Sequence, residues 1–84
     1  MEDRRQVLER GRLAAELLDG DSVVMEALKD LQDRYTNEWK SSKLDEVEKR
    51  EKAYMAILAI DDLKTQLQTY ADRATYVQRQ MQRE

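Results

Sequence analysis

From Ala56 to Met81, apolar residues recur at alternating spacings of four and three: Ala56, Ile60, Leu63, Leu67, Tyr70, Ala74, Val77 and Met81. This is a heptad seam, and only a long helix can set all eight side chains on one stripe. The chain contains no proline, so nothing blocks helix propagation anywhere along it. The pattern begins near Leu44 and predicts one helix over 44–82, about 58 Å long at the helical rise. Asp45, Glu46 and Glu48 at its start suit the positive end of the helix dipole. Asp45/Lys49, Glu46/Arg50 and Glu48/Lys52 have the spacing of helical ion pairs.

Two shorter segments precede it. Residues 3–19 carry Val7, Leu8, Ala14, Ala15, Leu17 and Leu18 on a broad face, with Gly11 expected to weaken the middle. Asp19-Gly20-Asp21-Ser22 reads as a stop and restart, with Gly20 expected in the left-handed helix-ending conformation and Asp21 or Ser22 as the next N-cap. On that geometry Gly20→Ala would destabilise. Residues 23–39 place Val24, Leu28, Leu31, Tyr35 and Trp39 on one stripe. A reversal is expected near Lys40 to Lys43, followed by a capping box from Ser42 and Asp45. The fold class is all-α, a helical hairpin or three-helix arrangement with one long C-terminal coiled-coil-like helix, in a single domain over 1–84.

Helix lengths leave two packings open. Two tight reversals would stack all three helices near 44–60 and leave the seam from Leu63 to Met81 uncovered. If Gly20 is only a bend, the first two helices together match the third and lie along it as an interrupted hairpin, the arrangement favoured slightly. The flanks of the seam hold Ala59, Gln66, Ala71, Gln78 and Gln80 where a two-stranded coil carries charges, which favours a wider multi-helix contact. A chain of 84 residues buries little surface alone and gains from association. The expected partner or oligomer interface is therefore Ile60, Leu63, Leu67, Tyr70, Ala74, Val77 and Met81. Trp39 is expected to close one end of the core or to anchor a partner.

Chemistry is constrained by what is missing. Histidine and cysteine are absent, which removes the usual bases, nucleophiles, thiolate metal ligands and disulfides. Asp61 and Asp62 point about a hundred degrees apart on a helix and cannot converge on one ligand. No phosphate loop or metal-ligand cluster appears, so no catalytic residue, cofactor or metal is expected. Tyr35, Tyr54 and Tyr70 lie on helical stripes as core or interface residues, and Tyr76 stands beside the seam. Eighteen acids against fifteen bases, net -3, argue against a general nucleic-acid binder. The glutamine-rich tail from Leu63 is mildly basic and reads as a solvated coil exterior. The longest apolar run, Met55 to Ile60, is too short to span a bilayer, and a cytoplasmic chain is expected.

The stretches Tyr35-Thr-Asn-Glu-Trp39, Lys49-Arg-Glu-Lys-Ala-Tyr54 and Ile60-Asp-Asp-Leu-Lys-Thr-Gln-Leu67 resemble small helical proteins encoded among tailed-bacteriophage genes near head and packaging functions. The resemblance covers roughly residues 24–70. It implies a non-enzymatic accessory or virion-assembly role in the host cytoplasm or the virion, and brings no functional residues with it. A second resemblance is to small secreted helical hairpins with a Trp-x-Gly turn. There Trp39 matches, but Ser41 stands in place of the glycine, and the tyrosine-then-acid secretion pattern is missing after Tyr70 and Tyr76. A third reading is a phage inhibitor of a host enzyme or defence complex. In it Asp45, Glu46, Glu48, Glu51, Asp61 and Asp62 imitate phosphates, in a field diluted by Lys49, Arg50 and Lys52.

Overall fold

The fold is given by a computed structural model whose described residues run from 3 to 83. They form three helices and no strand: α1 Arg4–Leu18, α2 Val23–Ser41 and α3 Val47–Arg83. The molecule is long and thin, 61 × 27 × 16 Å. Helix α3, 37 residues long, is the spine. Both shorter helices pack antiparallel along it, α1 beside its C-terminal half and α2 beside its N-terminal half, and they touch each other little. Of the two packings the lengths allowed, the interrupted hairpin is the one adopted.

The starts of α1 and α2 are each capped by a side chain. Asp3 Oδ1 accepts from the Gln6 amide at 2.8 Å to open α1, and Ser22 Oγ accepts from the Met25 amide at 3.1 Å to open α2. The α1–α2 turn is held from both sides. Asp19 Oδ1 accepts from the Asp21 amide at 2.9 Å, while the Ser22 hydroxyl donates back to the Leu17 carbonyl at 2.6 Å. Gly20 departs from expectation, because no described glycine has positive φ. The helix ends instead at Asp19, in an extended conformation open to any residue, and the side chains of Asp19 and Ser22 satisfy the free backbone groups.

A Cβ built on Gly20 meets nothing within 4 Å. Gly20→Ala is therefore expected to leave stability unchanged or raise it by up to about 1 kcal/mol, through lower entropy of the unfolded chain. This reverses the sign read from the sequence. A fall in the thermal midpoint, at equal protein concentration, would show that the turn needs glycine after all.

The α2–α3 reversal falls later than expected, over 42–46. Ser42 closes α2, its hydroxyl donating to the Trp39 carbonyl at 2.7 Å, and does not start a capping box with Asp45. Glu46 closes the turn instead: its carboxylate accepts from the Lys43 amide and its own amide donates to the Lys43 carbonyl, both at 2.9 Å. Arg50 adds a clasp by donating to the Lys43 carbonyl at 2.8 Å, so it is not held in the i,i+4 pair with Glu46 that its spacing suggested. Lys49 reaches Glu46 at 3.8 Å, one residue nearer than its expected partner Asp45, which lies outside the helix.

The interior is small. Ala14, Leu28, Ala53, Ile60 and Ala74 make up the fully buried hydrophobic residues among those described, and three of the five are alanine. Gly11, expected to weaken α1, is buried where α1 meets α3. An added Cβ there would overlap the Ala74 Cβ and come within 2.8 Å of the Tyr70 carbonyl oxygen. Ala15, Ala71 and Thr75 flank the same crossing. Small residues let the two backbones approach closely, and the contact area gained there repays the weaker helix propensity of glycine.

Candidate interaction surface

The seam is divided by the packing. Ile60 is 8% exposed and Ala74 is buried at the Gly11 crossing, whereas Leu67, Tyr70 and Val77 are half-buried. Leu63 at 46% and Met81 at 44% stay exposed. The centre of the stripe thus faces α1 and α2 within the chain, and one margin faces outward. Trp39, at the end of α2, is 44% exposed and only partly covered by the closed end of the hairpin. Tyr35 and Tyr70 each lie under an arginine, with Arg34 5.1 Å and Arg10 5.3 Å from the ring centroids. Tyr54 and Tyr76 are open to solvent.

Two polar contacts show how the sides of the hairpin differ. On one side Gln32 joins α2 to α3, donating to Asp61 Oδ1 at 3.1 Å and accepting from Lys64 Nζ at 2.9 Å. Helical period places Gln68 and Thr75 on this side of α3, making it polar from Asp61 onward. On the other side Arg10 lies over Tyr70. Three and seven residues on from Arg10 come Leu13 and Leu17, and seven back from Tyr70 comes Leu63. In α2 the flank of Leu28 away from Gln32 carries Val24 and Leu31. Leu13 and Leu63 are each 46% exposed, and Leu17 and Val24 each 38%. The Gln32 side is bonded between α2 and α3 and carries Tyr54 and Leu58 only in the N-terminal half of α3, whereas the other side leaves Leu13, Leu17, Val24 and Leu63 open together. The sequence stripe alone did not separate them, because the split depends on which flank of α3 each short helix leaves bare.

Charge is divided along the long axis. Residues 3–18 and 69–83, which form the open end, carry seven arginines, no lysine and four acids, a net +3 that Glu2 and Glu84, outside the described residues, reduce to +1 over 1–18 and 69–84. Residues 19–68 carry eight bases and twelve acids, a net -4. At the open end Arg12 sits between Glu9 and Glu16, 2.7 Å from the latter. Its hydrogen bond to Glu9 holds that carboxyl below its ordinary value. A carboxyl lowered in the folded state adds stability above its unfolded pKa and loses it as pH falls, and here full exposure keeps the effect minor.

Among the described residues no group of three or more acidic side chains is arranged to hold a metal ion. No described helix is long and apolar enough to cross a membrane. No family model, curated protein or solved structure matches the chain.

Proposed function

We propose that this chain is a non-enzymatic interaction protein that works by self-association and by packing helix faces against partner helices. One observation carries the reading: the folded chain has almost no interior of its own. No large side chain among the described residues is completely enclosed, while thirteen large apolar or aromatic ones are more than a third exposed. The accessible surface is 6777 Å². A compact monomer of 10.0 kDa would expose about 5,200 Å². The excess of roughly 1,500 Å² exceeds the ~800 Å² that each partner buries in a standard interface. Large apolar side chains left open in this way mark a surface that gains from a partner.

The setting we propose for that activity is phage virion assembly, which rests on the sequence resemblance over residues 24–70. Light scattering across a concentration series tests self-association, and capture from the native host or infected cell tests the partner. Assembly predicts a mass that is a multiple of 10.0 kDa together with recovery of a structural component. A chain that stays at 10.0 kDa from micromolar to millimolar would overturn the self-association reading.

A further inference from the structure

We infer that the apolar face formed by Leu13, Leu17, Val24, Leu63 and Tyr70 is the contact between two copies of this chain, and that the copies pair antiparallel. This deepens the self-association reading above and rests on it. Area and charge identify the occupant as a second copy.

The excess surface of each chain is more than one side of a standard dimer requires, and the apolar face runs across both layers of the hairpin. A chain that stacks this face on its own copy buries the four half-exposed aliphatic side chains twice. The Gln32, Asp61 and Lys64 side stays in water.

Charge sets the direction. Parallel stacking lays the arginine-rich end on its like, and the -4 stretch of residues 19–68 on its like. Antiparallel stacking lays each arginine-rich open end on the acidic half of its partner, which steers encounter and fixes the register. A two-fold axis across the long direction then sets α3 against the partner's α3. Residues near the middle of α3, Leu63 and Gln66, meet their own counterparts there.

The native chain has no cysteine, so a single introduced thiol reports geometry cleanly. Gln66→Cys, at an exposed polar position, is expected to form a disulfide-linked dimer under mild oxidation. Gln80→Cys, near one end of the same flank, is expected not to link to its copy. Leu63→Glu should weaken the dimer about a hundredfold or more, because it places two like charges at the centre of the contact. Its helical circular dichroism should persist, since Leu63 is not part of the interior. Leu13→Glu should act in the same direction from α1. Gln68→Glu on the polar side should leave the mass unchanged.

Wild-type chain at monomer mass at every concentration would overturn both this inference and the self-association reading. A wild-type oligomer unaffected by Leu63→Glu and Leu13→Glu would overturn only the assigned face. Linking by Gln80→Cys without Gln66→Cys would overturn the antiparallel direction.

Discussion

Gly11→Leu is expected to separate α1 from the C-terminal half of α3 and to cost roughly 3 kcal/mol, since the leucine has no space to occupy. For a chain of this size the loss corresponds to a fall in Tm of roughly 12 to 24 °C. The Cβ alone would overlap Ala74 and crowd the Tyr70 carbonyl, and a helix backbone cannot yield as the tip of a flexible side chain can. Gly11→Ala gives the sharper test of sign. Helix propensity predicts that alanine gains about 1 kcal/mol. The crossing predicts a net loss, because α1 must move outward and surrender contacts along its whole face. Thermal melts at equal protein concentration distinguish the two. A raised midpoint for Gly11→Ala would mean that α1 does not rest on Ala74.

Ile60→Asp is expected to be the most damaging change on α3. Ile60 is the only large side chain of that helix buried to 8%, no charged group is buried among the described residues, and the cation one turn on, Lys64, is already donating to Gln32. Loss of the apolar contact together with an unpaired buried charge should cost roughly 4 kcal/mol, a large share of the stability of a small chain. The carboxyl will resist ionisation, so the variant should recover stability as pH falls towards and below 5, where the neutral acid is cheaper to bury. Thr65→Asp, on an exposed position of the same helix, should change stability by no more than about 0.5 kcal/mol. Urea titration of both variants at pH 7 and pH 5 checks this. Equal losses for the two, or an Ile60→Asp variant with no pH dependence, would show that Ile60 does not sit in a dry interior.

The length and period of the helices were legible in the residues themselves. The four-three spacing from Ala56 to Met81 requires a long helix whatever packs on it, and Asp19 and Ser22 carry the oxygen atoms that end one helix and begin the next. The two short helices are also long enough together to line α3, so the interrupted hairpin was within reach of length alone. Gly20 misled because glycine is the usual solution to a left-handed helix end. Here side-chain hydrogen bonds provide another, and the backbone never needs positive φ.

Tertiary structure decided the rest. In sequence, Gly11 is a weak helix former, and only Ala74 lying against it turns the missing side chain into an advantage. The seam is one continuous stripe when read along the chain. Its division into a buried line through Ile60 and Ala74 and an outward margin at Leu63 arises because a helix laid on one flank of a stripe leaves the other flank bare. The charge asymmetry follows the same logic. Residues 3–18 and 69–83 lie far apart in sequence and add to one basic end only after the chain reverses at 42–46. Periodicity is local and survives any packing. Neighbours across a helix interface are set by where the chain turns back.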